Sequence, residues 1–454
     1  MKQLVENQRN YFNSNITKDV KFRKEQLKNL RKAIKENEQI LYEAIYNDFK
    51  KSKFDAFSSE LALIYVDIKD ALRNIDNWAK KKHKPTNMVN LPGKSYVLPE
   101  PLGVSLIIGA WNYPIYLALA PAVSAMVAGC TIILKPSEFP SNVSKAISNL
   151  VKNNFNPNYF TVVEGGISET TKLLDQKFDK IFFTGSTAVG RIVYQAAAKH
   201  LTPVTLELGG KSPTFVTESA NLKMAAKRLV WAKFLNAGQT CIAPDYILVD
   251  ESVQDNFINL LIEEIKNSNF DIDNKNYVQI INSKNVERLE KLIDKSKVVY
   301  GGYINKENRV IEPTVMRNIS FDDAVMQEEI FGPILPIISF TNLKSEIARI
   351  KNEAKPLACY IFSGKRSEKQ MVLEQLSYGG GCVNDAIMHI SNHHLAYGGV
   401  GDSGLGAYHG EAGFKAFSHY KSILERPTWI EPNIKYYPHT ATKLKLIRWI
   451  FGIK

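Results

Sequence analysis

From Val104 onward the chain alternates short apolar runs with longer helical ones. VSLIIG leads into a stretch rich in Ala and Leu, then TIILKP, then a helical run through Ala146 and Leu150; YFTVVEGG, KIFFTG and TPVTLELGG continue the series. Strands buried on both faces read as continuous apolar runs, and parallel neighbours need a crossover of a dozen or more residues between them. The pattern therefore predicts βαβ units in a parallel sheet covered by helices on both faces. A second α/β region follows, roughly residues 210–400, which opens with TFVT and carries ILVD and YIFS. No low-complexity linker separates the two, so the boundary near residue 209 is soft.

Ahead of this alternation, residues 17–82 predict helices, because Leu27, Leu30, Ile34 and Leu41 recur at helical spacing between lysines and glutamates. SYVLPEPLGV, with two prolines and strand-like alternation, predicts a projecting or connecting ribbon. At 454 residues and 44% hydrophobic content the chain is long enough for two or three domains with sizeable cores. Its four cysteines, Cys130, Cys241, Cys359 and Cys382, form no CxxC pair, so neither a zinc site nor a disulfide framework is indicated and a reduced, intracellular setting is expected. The N-terminus has no apolar h-region, and no apolar run reaches membrane-spanning length. The net charge of +12 is spread along amphipathic helices such as KFRKEQLKNLRKAIKEN rather than clustered with aromatics, which argues against nucleic-acid binding.

Several short stretches carry chemistry. FLNAGQTCIAP sets Cys241 among small and polar residues, where Gly238 and its neighbours leave room around a thiol. LELGGK places Glu207 between two leucines at a strand end; it is either a buried carboxyl with a raised pKa, suited to general-base work, or a glutamate facing water. WNYP follows the first strand of the alternation, and Asn112 there is either an amide donor or a helix N-cap. KIFFTGSTAVG is a strand, glycine turn and helix start with G-x-x-x-x-G spacing, either a phosphate cradle or a plain connection. IILKPSE places Lys135 and Glu138 at a βα crossover, as ribose partners or a solvated charge pair. QEEIFGP sets Glu329 and Phe331 before a Gly-Pro turn.

WNYP, KPSE, FTGS, ELGGK, GQTC and EEIFGP in this order resemble the aldehyde dehydrogenase superfamily over essentially the whole chain, and GVGDSGLGAYHGEAGFKAFSHYKS resembles its class 3 branch. The resemblance implies an α/β fold: N-terminal helices with a Rossmann-like cofactor domain over 1–208 (ribbon near 95–103), a catalytic domain over 209–400, and a return segment over 401–454 with an oligomerisation strand and basic tail. It implies Cys241 as nucleophile, Glu207 as general base and Asn112 as oxyanion donor. Lys135 and Glu138 would hold the adenosine ribose, and Gly185, Ser186, Val189 and Gly190 the pyrophosphate and adenine. Glu329 and Phe331 would place the nicotinamide. The implied cofactor is NAD, with NADP possible, and no metal. The implied substrate is a fatty, aromatic or other apolar aldehyde, or a carotenoid aldehyde as in bacterial members of the branch. A thioester hydrolase or an acylating dehydrogenase on the same scaffold are the rival readings; the acylating members lack the glutamate found here at 207.

Trp231 and Leu235, four residues apart, and Tyr113 and Leu117 beside Asn112 are expected to line an apolar tunnel to the thiol, or to be ordinary core. The resemblance also implies a cytoplasmic homodimer, with SYVLPEPLGV and Ser422 to Pro427 as candidates for pairing across subunits. The C-terminal TKLKLIRWIFGIK mixes apolar residues and Trp449 with Lys443, Lys445, Arg448 and Lys454, a composition suited either to weak peripheral contact with an anionic membrane or to packing on the protein itself.

Overall fold

The computed structural model describes residues 1–453. Two sheets carry the molecule. The first has six strands in the order Gly404–Leu405, Val204–Glu207, Lys180–Thr184, Val104–Ile108, Thr131–Lys135 and Phe160–Val162. Every neighbouring pair is parallel except the short Gly404–Leu405, which runs antiparallel to Val204–Glu207. Val104–Ile108, Thr131–Lys135 and Lys180–Thr184 are buried along their whole length, so their apolar runs reflect cover on both faces. From Val104–Ile108 the chain first adds strands on one side and then returns to add Lys180–Thr184 on the other. The order therefore reverses between these two strands, and in open α/β sheets that reversal opens a crevice at the carboxyl ends. WNYP and GSTAVG are the two segments that leave from it.

The second sheet has seven strands: Val298–Tyr300, Thr314–Met316, Ile334–Phe340, Tyr246–Asp250, Pro213–Val216, Ala358–Phe362 and Gly380–Val383. Only Val298–Tyr300 is antiparallel to its neighbour. One core cluster runs through this sheet and the helices of the first, with Ile107, Phe182, Phe215 and Ile247 all fully buried. Helices Val20–Glu36 and Glu38–Phe49 bury Leu27, Leu30, Ile34 and Leu41 as their spacing predicts. A further helix, Lys2–Asn13, precedes them.

The ribbon is a three-stranded antiparallel sheet. Lys94–Pro101 is its central strand, between Lys82–Lys84 and Ser418–Glu425, with eight register pairs joining it to the latter. Lys82–Lys84 covers only Ser95–Val97 of the central strand, and the outer edges of the ribbon belong to Lys82–Lys84 and Ser418–Glu425.

Helix Ala441–Ile450 is capped by the Thr440 hydroxyl and contains no buried residue. Lys454 lies outside the described residues. Among the described residues no helix is long and apolar enough to cross a membrane.

Candidate active site

The site assembles where the crevice of the first sheet meets the Cys241 loop. Asn112 follows strand Val104–Ile108 and is 3% exposed. Its Nδ2 donates to the Gln239 carbonyl at 3.1 Å, and its own carbonyl accepts from Asn236 Nδ2 at 2.9 Å. It does not cap the helix that follows. That end is served from elsewhere, because the Glu60 carboxylate accepts from the N–H groups of Ile115 at 2.8 Å and Tyr116 at 3.2 Å. Glu60 is in turn paired with Lys51 at 3.0 Å, with both side chains buried. A buried carboxylate needs such partners, since unpaired it would cost several kcal/mol, roughly 3–5 by analogous deletions.

The Cys241 segment is tight backbone. Helix Leu222–Phe234 stops at Phe234, and Asn236, Ala237 and Gly238 then take φ of 54°, 51° and 72° in succession. A Cβ at Gly238 would lie 2.2 Å from the Gly332 carbonyl oxygen. The glycine is therefore demanded by the neighbouring turn. On the side where a Gly238 side chain would stand, the space is filled by the backbone of Gly332 and Pro333. Gln239, fully buried, pins the loop: its amide donates to the carbonyls of Asn236 and Gln279 at 3.0 and 3.1 Å, and its oxygen accepts from Ile281 N–H at 3.0 Å. Thr240 meets the Tyr113 hydroxyl at 2.7 Å.

Cys241 is half-buried, and its sulfur lies 3.3 Å from the Tyr397 hydroxyl. Burial pushes the thiol up to about 12; the nearby Glu329 and Glu207 add to this, while the Tyr397 contact opposes it. Glu207 ends strand Val204–Glu207 and is 2% exposed, so the water-facing alternative is excluded. Neither of its carboxyl oxygens has a hydrogen-bond partner. Burial holds this carboxyl well above the usual range, with Lys180 opposing. Buried polar atoms are almost always paired, so a carboxyl with both oxygens unmatched, electrostatically coupled to a thiol, marks a place built for a ligand or water. Cys130 and Cys359 are buried, and Cys382 is half-buried with its sulfur 3.5 Å from His389 Nδ1.

The residues assigned to NAD(P) share one rim. Ser186 caps helix Thr187–Ala198 by accepting from Val189 N–H, and Val189 and Ile192 expose 42% and 58% of their surface on its first turns. A helix N-terminus with apolar side chains beside it suits a pyrophosphate with an adenine ring. Gly190 permits the close approach of this helix to the sheet, since a Cβ there would lie 2.6 Å from Leu208 Cδ2. A Cβ at Gly185 would meet the Phe183 ring at 2.6 Å. Lys135 is buried, with Nζ donating to the Pro136 carbonyl at 2.7 Å and lying 3.6 Å from the exposed Glu138. Glu329 packs against Gly209, and burial pushes its carboxyl up to about 8. Phe331 stands edge-on to Trp111 with ring centroids 5.2 Å apart, which brings EEIFGP to WNYP. These residues fit a dinucleotide.

Of the tunnel candidates, Leu117 is buried and Tyr113 half-buried beside Thr240. Trp231 is 46% exposed; Leu235 is half-buried and lies just past the helix end, its N–H donating to the Trp231 carbonyl. Sequence reasoning missed Tyr397, Gln239 and the Lys51–Glu60 pair. Tyr397 is 156 residues from Cys241 along the chain, and its one sequence signal is an aromatic side chain amid the glycines of LAYGGVGDSG.

A family model described as the aldehyde dehydrogenase family matches residues 1–423. The chain is 46% identical to 4,4'-diaponeurosporen-aldehyde dehydrogenase of Staphylococcus aureus over 446 residues, covering 97% of each. It is 42% identical to aldehyde dehydrogenase family 3 member A2 of Rattus norvegicus over 452 residues, 98% of this chain and 93% of the relative. It is 40% identical to the dimeric NADP-preferring aldehyde dehydrogenase of Canis lupus familiaris over 445 residues, 97% and 98%. The solved substrate-bound state of Staphylococcus aureus AldH superposes with a TM-score of 0.97 at 44% identity, covering 99% of both chains.

Proposed function

The chain belongs to the aldehyde dehydrogenase family, and on that premise we propose that Cys241, Glu207 and Asn112 carry its reaction. The enzyme oxidises aldehydes with NAD(P). In the proposed sequence the Cys241 sulfur adds to the aldehyde carbon. The Asn112 amide and the Cys241 N–H donate to the oxyanion of the thiohemiacetal. The nicotinamide, when bound, accepts the hydride. Glu207, in its ionised form, then takes a proton from the water that attacks the thioester, and the acid is released. The observation that carries this reading is the Glu207 carboxyl, buried with both oxygens unmatched and coupled to the thiol. The test is Cys241→Ala, with NAD binding followed by tryptophan quenching and turnover by NADH absorbance. NAD binding is expected to survive and acid formation to vanish; full turnover overturns the assignment.

The substrate is proposed to be an apolar aldehyde of medium or long chain, taken up along Tyr113, Leu117, Trp231 and Leu235. A carotenoid aldehyde is the second reading, and what favours it is the 46% identity to a relative that bears the name of such a substrate. Comparing turnover efficiency on a C10 aldehyde and on a polyene aldehyde decides between them. NAD is proposed over NADP, because a carboxylate at Glu138 accepts from ribose hydroxyls and repels a 2′-phosphate; a higher efficiency with NADP rejects this role. A homodimer is proposed through the open edge of Ser418–Glu425, tested by sedimentation of the wild type against a variant with proline at Ile423.

Weak, reversible contact with anionic membranes is proposed for the tail. What supports it is that helix Ala441–Ile450 has no fully buried residue and exposes 74% of Trp449 beside its basic residues. Co-sedimentation with anionic vesicles is expected for the full chain and not for one ending at His439, with raised salt weakening it. Equal behaviour of the two forms rejects it.

A further inference from the structure

Tyr397, which the sequence did not nominate, meets the Cys241 sulfur directly. Its hydroxyl, 3.3 Å from Cys241 Sγ, is the only side-chain hydrogen-bond partner of that sulfur among the described residues. The ring is held from several directions. Its backbone exchanges two hydrogen bonds with Tyr408, N–H to carbonyl each way, at 3.0 and 2.8 Å. Its face stacks on His409 at 5.4 Å and His389 at 6.3 Å, and Tyr408 meets it edge-on at 5.9 Å. His409 is itself fixed by the Tyr116 hydroxyl at 2.8 Å. A donor held this firmly loses little freedom when it binds a charge.

The groups around the sulfur otherwise oppose ionisation. Glu207 and Glu329 act on it as negative neighbours when ionised. The phenols of Tyr113, Tyr360 and Tyr408 are neutral, since burial raises each. His389 and His409 are kept uncharged by burial, lowered to about 4 and about 3, so they supply no cation. Only the Cys241 N–H and the Tyr397 O–H favour the charged form. A thiol is nucleophilic as its thiolate, so the donor that stabilises that form governs the pH at which the site is armed.

We propose that the Tyr397 hydroxyl donates a hydrogen bond to the Cys241 thiolate and holds it in the attacking position, which makes Tyr397 a further catalytic residue. The proton stays on the phenol throughout. The bond loosens as the sulfur shares its lone pair with the carbonyl carbon. This rests on the reading of Cys241 as nucleophile.

The experiment is the pH profile of Cys241 alkylation by iodoacetamide in the full chain, with the modified Cys241 peptide quantified by mass spectrometry. Tyr397→Phe is expected to move the midpoint up by about one to two pH units, the worth of one hydrogen bond to a charged group. Because burial already pushes the wild-type thiol up to about 12, the readout is the rising limb. At any fixed pH there, Tyr397→Phe is expected to alkylate about three- to tenfold more slowly, the roughly tenfold loss of thiolate per unit being offset about threefold by the greater nucleophilicity of a thiolate released from a donor. Incorporation of 3-fluorotyrosine at 397, a stronger donor with the same ring, is expected to move the midpoint down. Profiles that superimpose on the wild type in Tyr397→Phe overturn the proposal. Should Tyr397→Phe fail to fold, an unmoved profile in the fluorotyrosine protein overturns it equally. Full turnover by Cys241→Ala defeats the underlying reading instead, so the two failures are distinct.

Discussion

Gly238→Ala places one methyl group between the two loops that build the site. The new Cβ would start 2.2 Å from the Gly332 carbonyl oxygen and 2.5 Å from its carbon, where real contacts do not fall below 3.0 Å. The loops must therefore part by about 0.8 Å or more, a van der Waals limit that no rotamer relieves. Gly332 has little room beside it to yield into, because a Cβ built there would lie 2.4 Å from Cδ2 of fully buried Leu289. The displacement falls on Asn236 to Cys241. Holding alanine at φ of 72° adds about 1–2 kcal/mol, and the clash about 1–3 kcal/mol more. A shift near 1 Å at the thiol costs turnover about 10²-fold. Gly401→Ala is the matched control. Its φ is 64°, but its Cβ would meet nothing closer than Lys355 Cδ at 3.6 Å, so it carries the conformational cost alone. The assay is melting temperature together with kcat for both variants. The expected result is a melting loss in Gly238→Ala at least twice that of Gly401→Ala, with kcat falling only in the former. Unchanged kcat in Gly238→Ala refutes the claim that this contact positions the thiol.

Glu207→Gln is expected to lower steady-state turnover by about 10²–10⁴ while a rapid NADH burst survives, because the thioester forms before water is activated; loss of the burst with NAD binding intact shows that Glu207 acts on the thiol. The same variant is expected to be more stable than the wild type at neutral pH. Burial keeps the folded carboxyl protonated above the pH where the unfolded chain ionises, so wild-type stability falls as pH rises from there, by about 1.4 kcal/mol per pH unit until the folded pKa is reached. A melting-temperature gap between Gln and Glu forms that stays constant from pH 5 to 7 refutes this. Asn112→Ala is expected to reduce kcat about 10²–10³-fold through the lost oxyanion donor, and a change below threefold removes it from the site. Turnover efficiency is expected to rise from acetaldehyde to medium-chain aldehydes, at about 0.8 kcal/mol per buried CH₂; a flat series rejects the apolar tunnel.

The parallel sheets were legible because strands covered on both faces are mostly apolar, and the few polar residues of VSLII, TIILK and KIFFT leave an unbroken apolar run in each. The site motifs were legible because each sits at a strand end or a glycine turn, where local backbone decides the residue type. Contacts made across long sequence separation were not legible. Glu60 reaches the N–H groups of Ile115 and Tyr116 from 55 and 56 residues away, and nothing in SSELAL marks that glutamate as a helix cap. Gly238 was read only as leaving room around the thiol, because the Gly332 carbonyl that its missing side chain accommodates lies on another loop, beyond the reach of local reasoning. Lys2–Asn13 was missed because the opening residues were read only for a leader segment, although Val5 and Gln8 face the core.

The sources of the site residues explain why the site depends on the whole chain. Asn112 and Glu207 come from strand ends of the first sheet. Cys241 and Glu329 come from loops attached to the second. Tyr397 closes the second region just before the return segment, and Tyr408 comes from the return segment, whose strand Gly404–Leu405 pairs with the strand that ends at Glu207. No one of these pieces holds both the thiol and its partners. One contact ties the first two pieces together, the Asn112 amide on the Gln239 carbonyl, while the Gly238–Gly332 approach joins the two loops of the second piece and fixes the thiol loop. The third is tied by the Tyr397–Tyr408 backbone pair and the Tyr116–His409 bond. Each of these contacts joins segments that fold around different strands, so the geometry at Cys241 reports their docking. A substitution that loosens any one, far from the sulfur, should lower turnover before it lowers overall helix and strand content.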